Sequence, residues 1–160
     1  LGSVKINIQL RDALKTLLQD FQVVHICGKG NLADRLQNTK GYCQFEYVSE
    51  ELPHIFAAAD VIISRAGSNS ISEFLALRKP NVLIPLSANA SRGDQILNAR
   101  SFEKQGYSLV LAEEDMTAVS LEKSIRQVYE NRMTYISAME HSAQNDGVKG
   151  VLREIQRYTK

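Results

Sequence analysis

The chain has 160 residues, 19 Lys and Arg against 18 Asp and Glu, and a formal net charge of +1. That length carries one domain with a core of its own, and so small a net charge argues against a nucleic-acid ligand or a generally basic membrane surface. The 44% hydrophobic and 23% charged residues are those of a globular protein, and no apolar run in the sequence approaches the length of a membrane span.

Gly2 to Asn7 reads as the end of a loop. Ile8 to Gln19 follows as a helix, with Ile8, Leu10, Leu14, Leu17 and Leu18 at helical spacing for a face turned to a sheet. Phe21 to Cys27 is a strand that ends at Gly28-Lys29-Gly30. That turn lacks the Gly-Lys-Ser/Thr sequence of a Walker loop, so Lys29 is either a solvated turn lysine or a partner for a phosphate. Leu32 to Gln37 is a short helix, Asn38 to Gly41 a turn, and Tyr42 to Val48 a strand. Ser49 is placed to cap the helix that runs to Ala58, early enough to tolerate Pro53. Cys27 and Cys43 fall on neighbouring strands and read as reduced core cysteines. Neither has metal-ligand spacing to His25, His54 or His141, and His54 reads as a packing or surface histidine.

Ala59 to Ser64 is an apolar, β-branched run without alternation, as expected of a parallel strand covered on both faces. It passes through Arg65-Ala66-Gly67-Ser68-Asn69-Ser70 into a helix read as Ser72 to Leu77. Such a turn has two readings. Free N–H groups and the positive helix end make an anion site, or Ser68 or Ser70 is an ordinary N-cap with an acid a few residues on. Asn81 to Leu86 repeats the pattern and leads through the polar loop Ser87 to Gln95 into a helix, Gln95 to Gln105. Ligands of open α/β sheets bind beyond the carboxyl ends of the strands, so two such turns in succession point to one shared pocket.

Ser108 to Leu111 is a last short strand. Asp115-Met116-Thr117 opens a helix from Ala118 to Asn131 with Val119, Leu121, Ile125 and Val128 on its apolar face, and Arg132 to His141 is a further helix. Asp146-Gly147 breaks it before a closing amphipathic helix, Val148 to Tyr158. Strand and helix alternate throughout, which predicts an α/β fold: a Rossmann-like parallel sheet flanked by helices, with right-handed crossovers.

Ala59-Asp60-Val61, Ser64-Arg65-Ala66-Gly67, Ser72-Glu73, Pro80, Ile84-Pro85-Leu86, Asp94-Gln95 and Asn98-Ala99 together resemble the C-terminal domain of the MurG family. These are bacterial transferases that add N-acetylglucosamine to the lipid-linked peptidoglycan precursor. Leu1 to Asn7 resembles the tail of that family's glycine-rich first loop, and His25 to Gly30 its second strand end. The resemblance implies the donor-binding half of a two-domain GT-B glycosyltransferase, entered after its first strand, so the chain is expected to be a fragment of a longer protein. The implied donor is UDP-GlcNAc, with no cofactor and no metal, and the implied acceptor is a lipid-linked sugar held by the N-terminal domain. That missing domain is expected to hold the catalytic base and to make the membrane contact on the cytoplasmic face.

The expected donor-binding residues are Gly2, Ser3, Asn7, Val48, Arg65, Ala66, Gly67, Ser68, Asn69, Ser70, Glu73, Asp94, Gln95 and Asn98. Glu73 would accept from the ribose hydroxyls as the acid of a dinucleotide site does. The turn from Gly67 to Ser70, with Gly2 and Ser3 beside it, would donate to the diphosphate. Val48 backbone would line the uracil. Asp94 and Gln95 would read the sugar, although the family often has two glutamines there and an aspartate cannot donate to the acetamido oxygen. Arg65 either pairs with the leaving diphosphate or holds Asp60. His25 is the one candidate base on this chain, or else a structural histidine. Two further readings stand beside this one: a glycolipid synthase using another UDP-hexose, and a non-catalytic nucleotide-sugar-binding subunit.

Overall fold

The computed structural model describes residues 3–87 and 93–142, so Gly2, part of the loop after the Asn81 strand, and the predicted Val148–Tyr158 helix lie outside the described residues. Six α-helices and five strands alternate along them: α1 (Val4–Leu17), β1 (Val23–Ile26), β2 (Tyr42–Phe45), α2 (Leu52–Ala58), β3 (Ile62–Ser64), α3 (Ser68–Ala76), β4 (Asn81–Leu83), α4 (Asp94–Lys104), β5 (Leu109–Val110), α5 (Ala118–Glu130) and α6 (Arg132–Glu140). A 3₁₀ turn at Asp34–Leu36 links β1 to β2. Every ladder is parallel, in register Val23↔Tyr42, Ile62↔Asn81 and Val82↔Leu109. The strands form two ladders among the described residues, β1-β2 and β3-β4-β5. This is the Rossmann-like arrangement of parallel strands and flanking helices expected from the sequence.

Boundaries moved where side chains decided them. Helix α1 begins at Val4, not Ile8, because Ser3 is extended and its hydroxyl accepts the Ile6 N–H at 3.4 Å, a complete N-cap. Its buried face is Asn7, Leu10, Ala13, Leu14 and Leu17, while Ile8, expected to face the sheet, is 49% exposed. Helix α3 starts four residues before the predicted Ser72. Its N-cap is Gly67, which offers no side chain, so neither Ser68 nor Ser70 caps it. Helix α2 is entered from Glu51 instead of Ser49; the Glu51 carboxylate accepts the Ser49 N–H at 3.2 Å in the preceding turn. Strand β4 ends at Leu83, two residues before Pro85, which has no N–H to give a ladder.

Strand β4 is the middle of its sheet, and Asn81, Val82, Leu83 and Ile84 are all fully buried. Successive residues serve opposite faces. Val82 and Ile84 pack with Leu10, Ala13 and Leu17 of α1 and Leu121, Ile125 and Val128 of α5, and Val61 and Ile63 border the same cluster. Leu83 joins the other core, with Ile71, Phe74 and Leu75 of α3, Phe102 of α4 and Met139 of α6. Two helical layers thus enclose the sheet. Leu17→Ala should lower the unfolding free energy by about 3 kcal/mol through the cavity it leaves, whereas Ile8→Ala should cost no more than about 0.5 kcal/mol; urea denaturation midpoints of the two variants compare them directly.

Candidate functional site

Parallel strands deliver their carboxyl ends to one edge, and there the segments after β3, β4 and β5 meet the start of α1. Arg65, just past β3, ties them together. One terminal nitrogen of its guanidinium donates to the carbonyls of Ile84 (3.2 Å) and Pro85 (3.4 Å); the other donates to the Ser3 hydroxyl (2.6 Å) and to Glu113 Oε1 (2.5 Å). Of the two roles read for Arg65, the pairing with Asp60 is replaced by this ion pair with Glu113. Glu113 lies just beyond β5, and its other oxygen accepts the Ser87 N–H at 3.4 Å. Its main-chain carbonyl takes Lys5 Nζ at 2.5 Å. Burial alone would raise the Glu113 pKa, but the Arg65 hydrogen bond and charge, the Ser87 N–H and Lys5 together hold it below the ordinary glutamate value.

Three residues beyond Arg65, helix α3 begins. Its first-turn N–H groups have no intrahelical acceptor, and the glycine cap supplies no side-chain oxygen to them. A Cβ built on Gly67 meets no atom of the described residues within 4 Å, so none of them crowds the cap. Ser68 and Asn69 are exposed and Ser70 half-buried. Glu73, exposed a little over one turn into α3, makes no side-chain hydrogen bond or ion pair with the described residues. The turn below is pinned from the other side: Asn98 Nδ2 of α4 donates to the Ala66 carbonyl at 3.2 Å, and Ala66 is fully buried. Helix α4 opens from Gly93 in the left-handed conformation, with Asp94 exposed at its first position. Gln95 Oε1 accepts the Leu86 N–H at 3.1 Å, which fixes the end of the β4 segment.

The predicted residues therefore divide by position. Ser3, Arg65, Ala66, Gln95 and Asn98 are tied to one edge by side-chain hydrogen bonds, and Gly67 to Ser70 continue from it into the start of α3. Asn7 and Val48 are buried (4% and 8% exposed), Asn7 on the inner face of α1 and Val48 in the segment after β2. Asn7 belongs to a separate network around His25. Asn7 Nδ2 donates to the Cys27 carbonyl at 2.8 Å, so its Oδ1 is an acceptor and takes the proton of His25 Nε2 at 2.9 Å. His25 Nδ1 is then the acceptor for the Tyr42 hydroxyl at 2.9 Å. Both ring nitrogens are occupied, and His25 is 5% exposed. It is a structural histidine, with no nitrogen left to take a proton from a substrate.

The Glycosyltransferase family 28 C-terminal domain model matches residues 1–154. The chain belongs to this family. Along its whole length it is 56% identical to the UDP-N-acetylglucosamine--N-acetylmuramyl-(pentapeptide) pyrophosphoryl-undecaprenol N-acetylglucosamine transferase of Clostridium botulinum strain Langeland, and 52% identical to the transferase of that name from Clostridium novyi. It spans 45% of the length of each. Its fold is similar to that of Acinetobacter baumannii MurG, with a TM-score of 0.74 at 22% identity over 96% of this chain and 47% of that one. A glycotransferase of kitacinnamycin is similar in fold too, with a TM-score of 0.72 at 18% identity over 88% of this chain and 34% of the other. The family resemblance carried by the two turns is thus established over nearly all of the sequence.

Among the described residues no three His, Cys, Asp or Glu side chains come together as a metal site. Nor is any helix among them long and apolar enough to cross a membrane. Glu113 was the residue that sequence reading missed. Its only local signal was an acid directly after the last short strand, at the sheet edge where the other polar turns lie.

Burial, and secondarily the charge of Arg11, lowers the His25 pKa from 6.5 to about 4, so the folded protein holds the neutral ring. The unfolded chain takes up a proton more readily, so this contribution to stability is complete above pH 6.5 and declines as pH falls toward 4. The loss should reach at most about 3 kcal/mol. Chemical denaturation across that range should show the decline in the wild type and a flatter profile in His25→Gln.

Proposed function

We propose that this chain is the donor-binding half of a GlcNAc transferase. It would hold UDP-GlcNAc for inverting transfer to the undecaprenyl-diphosphate-linked muramoyl-pentapeptide. The observation that carries the reading is the glycine-capped N-terminus of α3. It lies at the carboxyl edge of a parallel sheet, no described residue crowds its cap, and the Glu73 carboxylate, unengaged by the described residues, lies one turn further on. The names of the Clostridium relatives support the substrate assignment.

In this reading the N–H groups of Ser68, Asn69 and Ser70 receive the diphosphate, whose charge the helix end stabilises as it leaves. The Ser3 hydroxyl approaches from the start of α1, with the Arg65 charge behind it; Gly2, assigned to the same subsite from the sequence, lies outside the described residues. Glu73 accepts from the ribose hydroxyls, the Val48 backbone lines the uracil, and Asp94 and Gln95 face the sugar. Asn7 acts through α1, by holding the strand end at Cys27, and Asn98 through the Ala66 carbonyl. Attack on the anomeric carbon needs a base on the face opposite the diphosphate. With His25 committed to the core, that base and the lipid-linked acceptor belong to the remainder of a two-domain protein. The same remainder would place the enzyme peripherally on the inner face of the cell membrane.

Calorimetric titration of the chain with UDP-GlcNAc, UDP-glucose and UDP tests the proposal. UDP-GlcNAc should bind more tightly than UDP-glucose, and Glu73→Ala should weaken it at least about tenfold through loss of a charge-assisted hydrogen bond. A folded chain that binds none of the three, or a Glu73→Ala variant that binds as the wild type does, would overturn it. Equal affinity for the two sugars would leave the nucleotide site and remove GlcNAc selectivity from Asp94 and Gln95, the outcome that favours another UDP-hexose.

A further inference from the structure

We infer that Glu113 is a positioning residue for the diphosphate, acting through Arg65 and Ser87 without touching the donor; the inference rests on the donor reading above. The geometry is a brace. One carboxylate oxygen takes Arg65 (2.5 Å), two residues before the glycine cap of α3, and the other takes the N–H of Ser87 (3.4 Å), the first residue of the loop that leads to Asp94 and Gln95. A single side chain therefore joins the turn assigned to the diphosphate and the loop assigned to the sugar.

Arg65 is in turn held in place. Each terminal nitrogen of its guanidinium has two acceptors, and these come from the β4 end, the Ser3 cap of α1 and Glu113. Committed in this way it is a strut for the edge, and its direction sets where Gly67 and the α3 N–H groups lie. On the far side Asn98 holds Ala66, so the three-residue turn is clamped at two consecutive positions. Removing Glu113 leaves a cation that is 22% exposed without its counter-charge, and it frees the Ser87 N–H. The guanidinium keeps the two β4-end carbonyls and the Ser3 hydroxyl but loses the charge partner that fixes its direction, and one of the turn's two anchors is loosened. The diphosphate is the part of the ligand that needs several N–H groups aimed at one point, so it should suffer most. The uridine portion, held elsewhere, should not.

Affinities for UDP and for uridine, read by NMR amide-shift titration of the chain, separate this role from plain stabilisation. Glu113→Ala should weaken UDP about tenfold and leave uridine within about twofold, since a hydrogen bond to a charged group is worth about that much. Glu113→Gln keeps an acceptor for Arg65 but offers Ser87 an amide nitrogen, and should weaken UDP about threefold with uridine unchanged. A merely structural role would lower the melting temperature and leave the UDP-to-uridine ratio as in the wild type; that result overturns the inference alone. If Glu113→Ala does not fold, an unaltered ratio in Glu113→Gln overturns it equally. A wild-type chain that binds neither ligand overturns the donor reading and this inference with it.

Discussion

Burial of β4 on both faces is the constraint from which the rest follows. A strand whose successive side chains are all removed from water needs an apolar layer on each side, and α1 and α5 provide one, α3, α4 and α6 the other. Parallel neighbours cannot be joined by hairpins and need crossovers, here α3 and α4. The crossovers return each strand to the same start and leave every strand end at the same edge. The polar turns that follow β3, β4 and β5 are brought together by the packing of the core, with no direct attraction of their own required.

At that edge the chain separates groups that hold the frame from groups that remain open. Arg65, Asn98 and Gln95 use their side chains on carbonyls and N–H groups of neighbouring segments. Ser68, Asn69 and Glu73 lie on the exposed side of the same structure. The division has an electrostatic logic. Helix starts and a guanidinium concentrate positive potential, and the Glu113 carboxylate balances the cation while leaving the α3 terminus unmatched. A helix end capped by its own serine would have satisfied itself; one capped by glycine keeps its donors for something else.

The His25 network shows the opposite arrangement. Asn7, His25, Tyr42 and the Cys27 carbonyl form a closed chain of donors and acceptors at the end of β1. It fastens α1 to the β1-β2 ladder, and it depends on the neutral ring. A histidine with both nitrogens engaged contributes order in place of proton transfer.

Much of this was legible in the sequence. The unalternating runs Val61-Ile62-Ile63 and Val82-Leu83-Ile84 announced parallel strands, because a strand covered on both faces can be apolar at every position; the second run is fully buried, whereas the first, leading into β3 at the edge of its ladder, is half-buried. The residue types in Arg65 to Ser70 marked a polar turn into a helix, read either as an anion site or as serine capping, and Thr117 marked the start of α5, where it forms a capping box with Ser120. These are local signals, set by neighbours a few positions apart. What only the tertiary structure decided is which distant side chains meet. Arg65 and Glu113 are 48 residues apart, Ser3 and Arg65 62, and Asn7 and His25 18. Their pairing arises from how the helical layers seat the strand ends, and no periodicity in the chain encodes it. The same holds for the α3 start: a glycine and three hydroxyl or amide residues all suit a helix entry, and in the fold Gly67 is the cap, next to Ala66 anchored from α4.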